Sequence, residues 1–191
     1  MGMSTPISLK DRHSDATQKL ILSTAIELLE GGSISDVTAR AVAKQAGMSE
    51  RTVFRYFATR DDLLDAIAAE AAARMQPPLP PATIDELLDY PKPLYRSFEE
   101  KAALVTGVLH TELFNRVRVA AAADRWSAVE KLINERMPGR PKKERRLLAT
   151  NVNYFLSATT WNYYRTRFEL SPEDSIAAAK AAIRALLDGH S

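Results

Sequence analysis

The sequence predicts an all-α fold in which a small three-helix, helix-turn-helix domain precedes a larger helical domain. Apolar residues recur at helical spacing along most of the chain, and Gly and Pro divide it into short helical segments before Pro81 and longer ones after it. No stretch shows the pattern of a β-strand or an internal repeat. The predicted boundaries are 1–12 for a flexible N-terminal arm, 13–60 for the helix-turn-helix domain, 61–76 for a connecting helix and 77–191 for the second helical domain.

Composition argues against several classes of protein. The 191 residues include no Cys, and 46% are hydrophobic and 26% charged, which is close to the average for globular domains. Without Cys there is no disulfide scaffold, thiol nucleophile or thiolate metal site. No apolar stretch near the N-terminus has signal-peptide length, and apolar runs such as Val119–Ala123 are too short to cross a bilayer. We therefore expect a cytoplasmic protein.

Helix signals near the N-terminus predict three short helices in succession. The first is expected over about 14–30, ended by Gly31 and Gly32. Thr38 can cap the second helix and Ser49 the third, because hydroxyl side chains accept hydrogen bonds from the first free backbone amides of a helix. Gly47 lies between these two helices, where the chain has to turn sharply. A short helix, a Gly-containing turn and another short helix are typical of a helix-turn-helix.

The third helix is predicted to present a basic face. Val53 and Phe57 are expected to pack inward with Phe54, and the opposite face carries Arg51, Thr52, Arg55 and Tyr56. Between positions 38 and 60 the basic residues are Arg40, Lys44, Arg51, Arg55 and Arg60, and the only acid is Glu50. The whole chain has a net charge of only +2, so the positive charge is local. By itself the pattern also fits a solvated helical hairpin with chance arginines.

The string from Thr38 to Leu64 resembles the DNA-binding domain of the TetR family of transcriptional regulators. The matching features are Thr38, the pair Val42-Ala43, the run Ala46-Gly47-Met48-Ser49, Thr52, the aromatic cluster Phe54 to Phe57, and Arg60 followed by Leu63. The resemblance covers about Ile21 to Ile67 at motif level. Two positions depart from it, because Phe54 stands where the family often has Tyr and Arg51 stands where it often has a small residue.

This resemblance implies roles for individual side chains. Thr38 and Lys44 would lie at the phosphate backbone, and Arg51, Thr52 and Arg55 in or beside the major groove. Tyr56 and Arg60 would each contact a phosphate. The full set of expected DNA-binding residues is Thr38, Lys44, Ser49, Arg51, Thr52, Arg55, Tyr56 and Arg60. Arginine can bind guanine with two hydrogen bonds, whereas hydroxyls and helix N-termini suit phosphate oxygens.

The resemblance also implies that the second domain binds a small-molecule effector and forms a homodimer. The candidate ligand-binding residues are Leu104, Val108, His110, Phe114, Trp126, Asn151, Tyr154, Phe155 and Trp161, which suggests a small apolar or aromatic effector. Ordinary core packing is the alternative for each of them. One helix is expected over 142–168 and another after Ser171. In the family the last two long helices pair with those of a second subunit, so we expect a homodimer through the last two helices; closure of a monomeric bundle is the alternative.

The resemblance implies a sequence-specific DNA-binding transcriptional regulator, and the form expected from the family is a repressor released from a palindromic operator by its effector. The alternative is an effector-independent DNA- or protein-binding protein on the same fold. We expect neither an enzyme nor a metal or other cofactor, because no phosphate-binding loop, metal-ligand spacing or catalytic triad stands out. A second basic cluster is interpreted as a solvated loop; it consists of Arg136, Arg140, Lys142, Lys143, Arg145 and Arg146.

Overall fold

The computed structural model describes residues 9–32 and 37–189, and within these ranges the chain is helical without any strand. The helices are α1 (Leu9–Glu30), α2 (Ala39–Gln45), α3 (Glu50–Tyr56), α4 (Arg60–Met75), α5 (Ile84–Asp89), α6 (Pro91–Glu100), α7 (Ala102–Leu109), α8 (Phe114–Arg136), α9 (Lys142–Phe155), α10 (Ala158–Thr166) and α11 (Pro172–Asp188). The predicted all-α fold class is confirmed. No described helix is both long and apolar enough to cross a membrane.

The first three helices begin and end largely where the local signals predict. Thr38 Oγ1 accepts a hydrogen bond from the amide of Ala41 at 3.1 Å and thereby caps α2. Gly32 and Gly47 have φ values of +62° and +66°, the left-handed conformation that lets the chain leave a helix sharply. The start of α1 was predicted less well, because this helix begins at Leu9 and not near Ser14. Residues 1–8 of the expected flexible arm lie outside the described part.

Helix α4 lies between the two parts of the chain. Thr59 and Asp62 form a reciprocal capping box at its start, and Gln76 ends it in a left-handed conformation with φ +43°. Its buried side chains face both α1 and α8, and they are Leu63, Leu64, Ile67, Ala68, Ala71 and Met75. The sequence suggested a connecting helix over 61–76 at this place. The division of the chain into domains stays a prediction.

One long helix predicted over 142–168 is in fact two. The chain leaves the helix at Leu156 and starts again at Ser157, whose Oγ accepts a hydrogen bond from the amide of Thr160 at 3.1 Å. The same hydroxyl donates to the carbonyl of Tyr154 at 2.7 Å, a group that a continuous helix would bond to an amide. The break ends α9 and starts α10, so the single helix predicted over 142–168 does not exist. Thr159 and Tyr163 are exposed, whereas Trp161 is buried.

Helix α11 begins as predicted, with Ser171 as its cap and Pro172 in its first turn. Its buried stripe packs within the chain, against α5, α6, α9 and α10, and consists of Ser175, Ile176, Ala179, Ile183 and Leu187. The chain itself therefore covers the apolar stripe of α11. Its opposite side is exposed and carries Ala177, Ala181 and Ala185.

Gly107 marks the closest approach between α1 and α7. A Cβ placed on Gly107 would overlap the carbonyl oxygen of Leu29 and come within 2.9 Å of its carbonyl carbon. Both atoms belong to the backbone, so they cannot move aside as a flexible side chain would. We expect Gly107→Ala to lower the free energy of unfolding by about 1–3 kcal/mol, the usual cost of overpacking. This would occur although alanine is the better helix former.

Urea denaturation measures this effect. Gly139→Ala is the matched control, because a Cβ there meets nothing within 4 Å and we expect its midpoint to stay near that of the wild type. An unchanged midpoint for Gly107→Ala would contradict the close approach of α1 and α7.

Candidate nucleic-acid interface

The candidate interface is built on the start of α3. Ser49 precedes the helix in an extended conformation, and its Oγ accepts a hydrogen bond from the amide of Thr52 at 3.1 Å. The Ser49 and Thr52 hydroxyls also lie 2.9 Å apart. Val53 is fully buried and Phe57 nearly so, which fixes the rotation of α3 against α2. The cap and the two buried side chains together set which face of α3 points outward.

That outward face carries the predicted arginines. Arg51 and Arg55 are both exposed, and a shallow surface groove is lined by Ser49, Arg51, Thr52, Phe54 and Arg55. Phe54 was expected to pack inward, but its side chain is 41% exposed and belongs to the same surface. Val53 and Phe57 are the buried side chains on this side of the helix, and Tyr56 packs partly against the same core. The five residues that line the groove can thus contact a partner together.

Tyr56 is held beside α1. Hydrogen bonding of its hydroxyl to the side chain of Thr17, and to a smaller extent to that of Arg55, lowers the pKa of Tyr56 below its ordinary value. The Arg55 guanidinium carbon also lies 5.2 Å from the centre of the Tyr56 ring. A lowered pKa means that the phenol oxygen sits among hydrogen-bond donors. The contacts place the Tyr56 hydroxyl at the junction of α1 and α3.

The remaining expected DNA-binding residues lie at the ends of α2 and α4. Thr38 is half-buried because its hydroxyl caps α2, and Lys44 is exposed in the last turn of that helix. Arg60 is exposed at the start of α4 and forms an ion pair with Glu112, which lies between α7 and α8. Arg60 is therefore directed toward the second part of the chain. The roles predicted for these eight residues stay predictions.

A second arginine joins the same two regions. Arg116, in the first turn of α8, forms ion pairs with Asp65 and with Asp61, the latter at 2.6 Å. Hydrogen bonds to Asp65 and then to Asp61 raise the pKa of Arg116 above its ordinary value. Together with the Arg60–Glu112 pair, these contacts connect the N-terminal half of α4 to the start of α8. Sequence reasoning did not predict this network, because its partners are more than fifty residues apart.

The nine candidate ligand-binding residues do not come together in one cavity. Val108 and Phe114 line an apolar cavity between α4, α7, α8 and α10, and none of the other seven candidates lines it. His110, Trp126, Asn151 and Tyr154 are exposed, whereas Leu104, Phe155 and Trp161 pack into the core. Trp161 Nε1 donates a hydrogen bond to Glu99 at 2.9 Å and so has a structural partner. Whether any of the nine contacts a ligand stays a prediction.

The cavity has a volume of about 90 Å³. Its walls are apolar apart from Arg118, Arg125 and the two hydroxyl residues Ser157 and Thr159. It shares Pro77, Ala121 and Arg125 with an adjoining open cleft of about 420 Å³, which Tyr90 and Asp124 also line. The described residues contain no group of three or more side chains that could hold a metal ion.

Sequence reasoning missed Arg125. The residue is only 9% exposed, although it is charged, and burial lowers its pKa while Tyr90 partly opposes this effect. A signal was available in the sequence. Val117, Ala121, Arg125 and Val129 recur every four residues, which places the arginine on the apolar stripe of α8.

Comparisons with known proteins agree with this geometry. Residues 21–67 match the sequence model of a family described as bacterial regulatory proteins, tetR family. The whole fold is similar to that of a TetR transcriptional regulator from Rhodococcus sp. RHA1, with a TM-score of 0.52 and 20% sequence identity over 92% of this chain and 99% of that chain. No curated protein matches the sequence. The resemblance to the TetR family is therefore confirmed for the amino-terminal segment, and the fold for most of the chain.

The Ser49 cap gives a prediction about the stability of α3. Ser49→Ala removes the acceptor for the Thr52 amide, and we expect the free energy of unfolding to fall by about 1 kcal/mol. Ser49→Asp restores an acceptor that also complements the helix dipole, so its urea midpoint should stay close to that of the wild type. Equal losses for both variants would show that the cap is not what stabilises α3.

Proposed function

We propose that this protein is a sequence-specific DNA-binding transcriptional regulator. The observation that carries the proposal is the exposed surface of a capped helix, α3, on which Arg51 and Arg55 project beside Thr52 and Ser49. Recognition helices of this motif place their N-terminal residues on base edges in the major groove. The match of residues 21–67 to the TetR family model supports the same conclusion. Binding DNA requires no catalytic group, and we infer a regulator in the cytoplasm without enzymatic activity.

Arg55 and Lys44 test this proposal because they should act differently on DNA. If Arg55 reads a base, Arg55→Ala should cost about 1–3 kcal/mol of specific binding and relax the sequence preference at one position. Lys44→Ala should weaken binding to all sequences about equally and reduce its salt dependence. Selection from random duplexes, followed by fluorescence anisotropy on the enriched site at two salt concentrations, measures both effects. Equal losses on every sequence from both variants would contradict base reading by Arg55.

The regulator is proposed to be a repressor that leaves its operator when an effector binds. The apolar cavity is a candidate effector site, because Met75 at the end of α4 and Phe114 at the start of α8 both line it. The ion pairs of Arg116 with Asp61 and Asp65 join the same two helices. A ligand that separates α4 from α8 would therefore alter the position of the DNA-binding helices. Such coupling between two sites is what effector control requires.

The protein is further proposed to act as a homodimer through its last two long helical segments. These are α9 and α10, which together replace the helix predicted over 142–168, and α11. A two-fold axis would match the symmetry of a palindromic operator. The buried stripe of α11 does not support the dimer, because it packs within the chain. The support comes from the outer side, where Tyr163 is 52% exposed and the small side chains of Ala177, Ala181 and Ala185 allow a close approach.

Charges placed on this outer side should dissociate the dimer. We expect Tyr163→Glu and Ala181→Glu to sediment as monomers in analytical ultracentrifugation at concentrations where the wild type is dimeric, because two buried carboxylates would face each other across the axis. Val119→Glu is the matched control, since Val119 is exposed on α8. Dissociation by Val119→Glu alone, with both other variants still dimeric, would place the interface elsewhere and contradict the proposal.

An effector-independent DNA- or protein-binding protein is the second candidate. The small volume of the inner cavity, about 90 Å³, favours it. Operator affinity that no small molecule changes would support this candidate over the effector-controlled repressor.

A further inference from the structure

The lining of the apolar cavity contains an uncompensated positive charge. Arg125 is 91% buried, because only 9% of its surface is exposed, and it lines both the inner cavity and the outer cleft. Its Nε has no hydrogen-bond partner, and none of the ion pairs among the described residues involves it. A guanidinium stays protonated in proteins, so this is a buried cation without an anion.

Among the titratable side chains of the described residues, Tyr90 is the one that interacts with this guanidinium. The phenol of Tyr90 faces Arg125, but its own hydroxyl proton is donated to the carbonyl of Pro78 at 2.8 Å. A phenol oxygen can accept one hydrogen bond from the guanidinium, yet it does not neutralise the charge. The guanidinium has five N–H donors, and several of them remain for another acceptor.

The rest of the cavity favours an anion with an apolar body. No Asp or Glu lines the inner space, whereas Arg118, seven residues before Arg125 on α8, lies at its exposed edge. Apart from the hydroxyl residues Ser157 and Thr159, the remaining walls are apolar side chains, with Val105, Val108 and Phe114 among them. Asp124 lines only the outer cleft and is exposed there, so solvent screens its charge.

We propose that the ligand of the second domain is an amphipathic carboxylate, whose anionic group pairs with Arg125 and whose apolar part occupies the cavity between α7, α8 and α10. This inference rests on the proposed effector-binding function and specifies the ligand class. A planar carboxylate can accept two parallel hydrogen bonds from a guanidinium, a geometry that Arg matches better than Lys. Burial strengthens the pairing, because the surrounding side chains exclude water.

The test uses matched pairs of probes that differ only in charge. Butyrate is compared with butanol, and pentanoate with pentanol, by isothermal titration calorimetry on the full-length protein, because these short chains match a cavity of about 90 Å³. We expect at least one carboxylate to bind the wild type about tenfold or more tightly than its alcohol. Arg125→Met should abolish this preference while the alcohol still binds, and Arg125→Lys should retain part of it. Equal binding of acid and alcohol to the wild type, or binding of neither, overturns the proposal.

Two further variants locate the site. Arg118→Met should change the preference much less than Arg125→Met, because Arg118 is exposed to solvent. Ala122→Phe should block both acid and alcohol, because Ala122 lines only the inner cavity. An equal loss from Arg118→Met and Arg125→Met, or unchanged binding in Ala122→Phe, overturns the assignment to this site. If Arg125→Met fails to fold, two measurements still test the proposal. They are the preference of the wild type for the carboxylate over the alcohol, and the loss of binding of both in Ala122→Phe.

Operator binding is measured separately so that the two proposals can fail independently. Addition of the tighter carboxylate to the complex of protein and selected duplex should lower the fluorescence anisotropy. If the carboxylate binds but the DNA is not released, the proposed ligand class is supported and control of DNA binding by this ligand is rejected. Failure to select any duplex rejects the regulator, whereas the calorimetry still tests the pairing with Arg125.

Discussion

Helix α1 before α4 and helix α8 after it pack onto this one helix, and their position relative to each other depends on it. Its buried residues, such as Leu64 and Ile67, are 0% exposed because α1 contacts one side of the helix and α8 the other. The stabilisation from apolar burial is proportional to the buried area. The ion pairs of Arg116 contribute less, because solvent and salt screen the exposed carboxylates of Asp61 and Asp65. The packing of α4 therefore holds α1 and α8 in place relative to each other, and the ion pairs add weaker contacts between α4 and the start of α8. Gly107 allows a second contact, because α7 can approach the backbone of Leu29 only without a side chain.

The parts of the fold that could be predicted from the sequence are those that depend on neighbouring residues. The caps at Thr38, Ser49 and Ser171 were predicted because a cap needs only a hydroxyl and the amides two or three positions later. The break after Phe155 was missed although Ser157 is a good cap, since apolar spacing continues through it. Periodicity does not tell whether a helix continues or restarts with a new rotation. Boundaries without a Gly or Pro are consequently the weakest part of such a prediction.

The candidate site residues could likewise be predicted only where they depend on neighbouring residues in the sequence. The basic face of α3 could be predicted because a short helix presents a face fixed by its own spacing, and only Phe54 was assigned to the wrong side. The lining of the cavity could not be predicted from the sequence, because its residues come from helices that are distant from each other along the chain. Trp126 and Tyr154 have the aromatic character expected of ligand contacts, yet tertiary packing leaves them at the surface. Arg125 has the character of a surface residue, but its register on α8 carries it inward.

A buried unpaired charge is unfavourable for the isolated chain, and this bears on how a ligand could act. Replacing such a charge by an apolar side chain of similar size is often neutral or stabilising, so Arg125 is poorly explained by stability alone. A ligand changes a conformational equilibrium only by the difference in its affinity for the two states. An anion that pairs with Arg125 would draw the guanidinium and α8 toward itself. Arg116 lies nine residues earlier on this helix, about 13 Å along its axis, and pairs with α4. Any rotation of α8 would therefore change these ion pairs. It would also change the position of α4, onto which both α1 and α8 pack.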